Sequence, residues 1–267
     1  MPSTSTTTSA SPAPSRVTPA APAIPAPPAV PAVPHVLDNP AWASLSGAHA
    51  AFAVRAGAHA ARYQPDVAVF CAIADPADAR SWDALGTLAG PGGVVSLSGV
   101  LTPPPGWETL WSGRGVQLTD TSLRAEPAPE AVRLGAADVP EMLELIELTK
   151  PGPFLPRTVE LGTYLGIRHR GRLVAMAGER LRPPGWTEIS AVCTHPGFRG
   201  RGLATRLVRA VAAGIRERGD VPFLHTAAEN TDAVRLYESI GFTVRHRPSF
   251  LAFRAPGGAH DSADTQI

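Results

Sequence analysis

Cysteine, lysine, aromatics and long apolar runs are all scarce in this 267-residue chain, and each scarcity excludes something. Two cysteines, Cys71 and Cys193, stand far apart inside apolar runs. They make neither a disulfide framework nor a zinc spacing, and the plainer reading is two buried thiols in a reducing cytosol. Lys150 is the only lysine, so almost all positive charge is arginine. Formal net charge is +1, which gives no global pull toward nucleic acid. No stretch approaches eighteen apolar residues without Pro, Gly or charge, so no membrane span is expected. What the chain does have is Ala, Gly and Pro, with 29 prolines, a composition typical of a GC-rich bacterial genome.

Ten of those prolines precede His35. Pro breaks helices and cannot donate to a sheet, and this stretch has few large apolar groups to offset ordering. Residues 1–37 therefore read as a disordered, partly polyproline tail. It lacks the basic start and compact apolar core of a secretory signal, and a cytoplasmic location is expected. Residues 38–122 read as a small α/β domain. In it Val67–Ala74 is a strand, Pro76–Leu88 a helix, Val94–Leu97 a strand and Trp107–Trp111 another. Trp42, Trp82, Trp107 and Trp111 read as core or interface aromatics. Residues 123–130 read as a linker and 256–267 as a flexible tail. Between them, residues 131–255 carry the clearest pattern. Val132–Leu134 starts a strand. Asp138 can cap a helix over Val139–Thr149. Tyr164–Ile167 and Leu173–Arg180 flank a hairpin turn, and Thr187–Thr194 is a further strand.

That last strand runs into Arg199-Gly200-Arg201-Gly202-Leu203-Ala204-Thr205. Leu203, Leu207, Val211 and Ile215 then recur at four-residue steps, one face of a helix. A strand, a glycine-rich turn and a helix N-terminus make a cradle for a phosphate or pyrophosphate, because free N–H groups point at the anion. A dinucleotide fingerprint needs a third glycine where Thr205 stands, and a P-loop needs a lysine that is absent.

The segment resembles the GCN5-related N-acetyltransferase (GNAT) family, and within it the FR47-like group. The family turn, Arg/Gln-x-x-Gly-x-Gly/Ala, is met by Arg199, Gly202 and Ala204. A helix opened by Asn and ending Leu-Tyr-x-x-x-Gly-Phe is met by Asn230, Leu236, Tyr237, Gly241 and Phe242. The resemblance covers roughly residues 131–253. It implies a mixed, mostly antiparallel sheet flanked by helices, with a smaller α/β N-terminal domain that lacks a second such turn. It implies acetyl-CoA as co-substrate and no metal. The pyrophosphate would rest on the amides of Arg199, Gly200, Arg201, Gly202, Leu203, Ala204 and Thr205. The pantetheine would pair with the backbone of Val192, Cys193 and Thr194, and Asn230 would touch the arm. Tyr237 stands at the general-acid position. Glu188 stands at the spacing of a catalytic glutamate. A part-buried carboxylate there, its pKa raised, could take the ammonium proton. Strand alternation would put Glu188, Ser190 and Val192 on one side. Glu179 and His225 are further candidate bases.

The function implied is transfer of an acetyl or larger acyl group to a primary amine by direct attack. The acceptor would be a small molecule or an N-terminus, with no nucleic acid or membrane partner, and a homodimer is a candidate assembly. The competing reading is a non-catalytic acyl-CoA sensor or interaction module, since a fold-level match alone does not establish activity.

Overall fold

A computed structural model describes residues 34–257. The expectations for 1–33 and 258–267 lie outside the described residues. Residues 34–37, counted above with the tail, are ordered: Val36–Asp38 form a 3-10 turn and the Leu37 side chain is buried. Asn39 then caps α1 (Pro40–Leu45) by accepting the Trp42 N–H at 3.4 Å.

Three short strands follow, β1 (Ala53–Ala56), β2 (Ala60–Tyr63) and β3 (Cys71–Ile73), as an antiparallel sheet. The expected strand 67–74 is thus confined to its centre. Asp78 caps α2 (Ala79–Ala89) through the Arg80 N–H at 3.0 Å. Next come β4 (Val94–Gly99) and β5 (Glu108–Asp120). After them lie β6 (Val132–Leu134), α3 (Val139–Thr149), β7 (Tyr164–His169), β8 (Arg172–Glu179) and β9 (Trp186–Thr194). The chain then runs through α4 (Leu203–Glu217), β10 (Val221–Ala227), α5 (Thr231–Ser239), β11 (Phe242–His246) and β12 (Ser249–Arg254). Asp138 stands at the N-cap position of α3, but its side chain makes no capping bond to that helix. Its carboxylate accepts the Gly135 N–H and pairs with Arg168 at 2.6 Å, closing a separate 3-10 turn just before the helix.

Nine strands form one mixed sheet in the order β4-β12-β5-β10-β9-β8-β7-β6, with β11 also paired to β5. Every ladder is antiparallel except β9–β10. The halves exchange strands. β12, the last strand, lies between β4 and β5, while β5, from the first half, lies between β10 and β11. The expected division at 123–130 is accordingly no break in the structure. Residues 34–257 fall in one compact unit, Leu123 is buried in the main core, and Glu126 and Glu130 pair with Arg209 and Arg206 of α4.

α4 seals one face of the sheet. Leu203, Leu207, Val211 and Ile215 are all buried there against Val116, Ala175, Ile189 and Leu224. Burial of each such side chain contributes roughly 1.5–3 kcal/mol. The opposite face is divided. α3 covers Met176 and Cys193, and the N-terminal elements pack Leu37, Leu45, Tyr63 and Val67 on Leu181 and Phe223. Trp82 is core, as expected, but Trp111 is 57% exposed. Trp111 lies on an outer stretch of β5 that no helix covers.

Candidate active site

Sheet pairing creates the cleft. β9 and β10 run parallel from Val221–Trp186 to Leu224–Ile189 and then separate. Beyond that point β9 remains bonded only to β8. The backbone of residues 190–194 on the β10 side is left without a strand partner. A bulge marks the separation. Residues 190 and 193 pair with 178 and 176, so two residues of β9 face one of β8, and Ala191 takes a left-handed φ of 51°. An alanine in that conformation is strained by about 1–2 kcal/mol, and bulges concentrate beside sites where a strand must be re-aimed.

The resulting cleft, about 580 Å³, is lined by Val192–Thr194, Phe198–Gly200, Gly202–Thr205, Thr226, Ala227, Asn230 and Tyr237, together with Thr149–Pro151. All thirteen predicted site residues except Glu188 and Arg201 line it. Arg201 instead lays its guanidinium over the Phe198 ring at 4.8 Å and reaches the Gly197 carbonyl. At the N-terminus of α4 no side chain caps the helix, so the N–H groups of Leu203, Ala204 and Thr205 stay available to an anion. Gly202 holds this turn with φ 71°, a region that any side chain would strain. At the far end of α5, Gly241 combines φ +111° with a close approach: a Cβ there would lie 2.5 Å from the Ser122–Leu123 backbone.

Asn230 caps α5, its side-chain oxygen accepting the Ala233 N–H at 3.2 Å. The helix holds Tyr237 at the cleft, 7% exposed and edge-on to Phe242. Burial pushes the phenol up to about 12, so it carries its proton throughout the working range. Burial likewise pushes the neighbouring Cys193 thiol up to about 11, which keeps it from acting as a nucleophile.

Glu188 corrects the sequence reading on two counts. The bulge resets strand alternation, so Val192 packs with Ile189 toward α4, while Glu188 lies on the other face beside Phe223. There it is 0% exposed under the N-terminal elements. Arg180 grips the carboxylate with two bonds, 2.9 and 2.7 Å, and Phe70 covers the guanidinium at 4.8 Å. Burial alone would raise the carboxyl, but the Arg180 charge and the hydrogen bonds from Arg180 and His225 outweigh it and hold Glu188 far below the usual carboxylate range. A carboxylate so held is a poor proton acceptor.

His225 is committed too. The two hydrogens of the Gln117 amide go to the Leu37 carbonyl (2.8 Å) and to His225 Nε2 (3.0 Å), while the Gln117 oxygen accepts from Arg245 (2.7 Å). The His225 Nε2 lone pair is therefore used, and Nδ1–H donates to Glu188 at 2.7 Å. Glu179 lies outside the cleft and accepts from Arg218 at 2.7 Å. All three expected bases are engaged in hydrogen bonds of their own. The bulge at Ala191 had no role assigned from sequence alone.

Comparison with known proteins decides the family. A solved structure described as a GNAT-family acetyltransferase from Novosphingobium aromaticivorans superposes with a TM-score of 0.76. It is 38% identical and is matched over 85% of this chain and 100% of its own. This chain belongs to the GNAT family. The FR47-like protein family matches residues 164–251, from β7 into β12. N-alpha-acetyltransferase RimI of Mycobacterium tuberculosis is 38% identical over 82 residues, 30% of this chain and 51% of its own length. Mycothiol acetyltransferase of Thermobispora bispora is 42% identical over 83 residues, 31% of this chain and 27% of its own. The chain thus spans about half, or less, of the curated relatives it matches. In this GNAT chain no described helix is long and apolar enough to cross a membrane.

Proposed function

We propose that this GNAT-family protein is an acetyl-CoA-dependent N-acetyltransferase acting on a primary amine, either a small molecule or an N-terminus. The observation that carries the reading is the separation of β9 from β10 directly beside an uncapped α4 N-terminus, with a protonated tyrosine at the same cleft. The family's co-substrate fits these residues. Free amides and Arg199 suit its pyrophosphate, and the unpaired β9 backbone suits the amide groups of its arm. The acetyl group and its sulfur leaving group come from that co-substrate: an N–C bond forms and a C–S bond breaks. Tyr237 supplies the proton that the departing thiolate takes, and solvent returns a proton to its phenolate. The acceptor nitrogen gives up its proton to water.

Thermal unfolding tests the ligand. Acetyl-CoA and CoA raise the midpoint, by about 2.7 kcal/mol of stabilisation at a hundredfold excess over Kd, and NADPH does not. In Gly202→Glu the rise disappears, while the ligand-free protein stays folded, lowered only by the roughly 1–2 kcal/mol that a side chain at this left-handed φ costs. A folded wild type with no shift would overturn the assignment.

A second reading, a non-catalytic acyl-CoA sensor, is favoured by one observation: among the described residues no Asp, Glu or His lines the cleft. The pH profile separates the two. As an enzyme, the protein shows kcat/KM rising tenfold per pH unit until the acceptor's own amine pKa, because the reacting species is the free amine and Glu188 stays ionised across that range. A plateau below the amine's own pKa that vanishes in Glu188→Gln would return the base role to Glu188. Absence of CoA release with any amine, despite binding, would favour the sensor.

A further inference from the structure

Past its base, the fork between β9 and β10 has no ladder to set its width. The two strands pair only as far as Leu224–Ile189. Beyond that rung each is held by its other neighbour, β9 by β8 and β10 by β5. One side chain from each strand bridges the base. Glu188 stands one residue before the last rung on β9, and His225 one residue after it on β10. The histidine Nδ1–H donates to the carboxylate at 2.7 Å. Both side chains are shut away from solvent, at 0% and 5% exposure. The bond belongs to a row of side chains that crosses the sheet at this level. Arg180, just past β8, grips Glu188, and Gln117 of β5 donates to His225 Nε2. Arg245 of β11 donates to the Gln117 oxygen and, at 2.6 Å, to Asp38. The N-terminal half thus finishes the row, through Asp38 and the Leu37 carbonyl that Gln117 also reaches.

We infer that His225 is a positioning residue: by tying Glu188 across the base of the fork, it fixes the width of the cleft that takes the co-substrate's arm. The inference rests on the acetyltransferase reading above. One wall of the cleft, Val192–Thr194, belongs to β9. The facing wall follows His225 directly, with Thr226 and Ala227 on β10 and then Asn230 and Tyr237 on α5. The separation of the walls is therefore the separation of the two strands. A hydrogen bond to an ionised carboxylate is shorter and roughly twice as strong as a neutral one, and a buried, satisfied network rigidifies what it joins. A cleft held at its working width before the ligand arrives does not have to be ordered by binding. Neither Glu188 nor His225 lines the cleft, so the pair acts on it through the strands and not by contact.

Replacements that copy one ring nitrogen at a time test this. Asparagine carries its amide nitrogen near the place of Nδ1 and keeps the bond to Glu188. Glutamine reaches the place of Nε2 and keeps only the bond from Gln117. Leucine keeps neither. Calorimetric titration of the full chain gives Kd for CoA and for acetyl-CoA. Hydrogen exchange on the ligand-free protein follows the segments 186–194 and 221–227, with each unfolding midpoint measured alongside. His225→Leu and His225→Gln raise both Kd values by roughly tenfold or more, the worth of one hydrogen bond to a charged group, and exchange quickens in both segments. His225→Asn stays within a few fold of wild type in Kd and keeps the slow exchange. A role in stability alone would make the losses follow the unfolding midpoints instead of the Nδ1 position. His225→Asn behaving like His225→Leu would overturn the inference, as would wild-type Kd values in His225→Leu and His225→Gln. A wild type that binds neither ligand would overturn the transferase reading and this one with it, whereas a wild type that binds, beside variants that match it, overturns this one alone.

Discussion

Tyr237→Phe lowers kcat by about two to three orders of magnitude and leaves CoA affinity within a few fold of wild type. General acid catalysis by a positioned side chain is worth about 10²–10⁴ in rate, and Tyr237, at the cleft, is the group proposed to supply it. Its ring is held edge-on to Phe242 and its burial at the cleft keeps the phenol protonated up to about pH 12. The alternatives at the cleft are poor donors. Lys150 turns its ammonium to Glu147 on the solvent side, and the Cys193 thiol is buried with no acidic push. Phenylalanine keeps the packing and removes only the hydroxyl, so the loss falls on the chemical step. The measurement is CoA thiol release under saturating substrates, with CoA affinity read from the unfolding shift. A drop of less than threefold would mean that the thiolate leaves without help from this residue.

What could be read from the sequence was local. The turn 199–205 is legible because glycines and arginines at fixed offsets precede a helix whose Leu203, Leu207, Val211 and Ile215 repeat at one face. The structure buries those four side chains on one face of α4. Asn230 is legible as a cap for the same reason: the bond it makes is three residues away. The strand exchange is not legible, because β5 pairs with β10 and β11 more than a hundred residues later, and β5 carries no signal naming its partners. Nor is the bulge. Alanine at position 191 has no composition that announces a left-handed φ. That single residue breaks the alternation from which Glu188, Ser190 and Val192 were assigned one face. Glu188 was misread for a further physical reason: its environment is made by Arg180 and the Leu181 N–H, by His225 from β10, and by Phe70 of the N-terminal half, which covers Arg180. A carboxylate's pKa depends on what surrounds it in space, and strand spacing says only where it points.

Arg180→Met costs about 3–5 kcal/mol of stability at neutral pH, a large fraction of the 5–15 kcal/mol typical of a folded domain. The arginine is the principal partner of a carboxylate with no exposure, and removing it strands a charge in the interior. Glu188→Leu with Arg180→Met together is far milder, since the charges leave as a pair and apolar volume replaces them. The pH dependence gives the sharper test. In wild type the folded-state pKa of Glu188 is depressed. Its contribution is therefore present above the unfolded value, about 4.3, and is lost as pH falls below it. In Arg180→Met the attraction that outweighed burial is gone, and desolvation, the largest single influence on this group, raises the carboxyl instead. The variant then binds a proton more tightly when folded than when unfolded. Its stability gap from wild type narrows as pH falls from 7 toward 4.5, because the stranded carboxylate is neutralised. Urea midpoints across that range measure the gap directly. A gap that stays constant with pH would mean that Glu188 is ionised and satisfied without Arg180, with His225 and the Leu181 N–H sufficient to hold it.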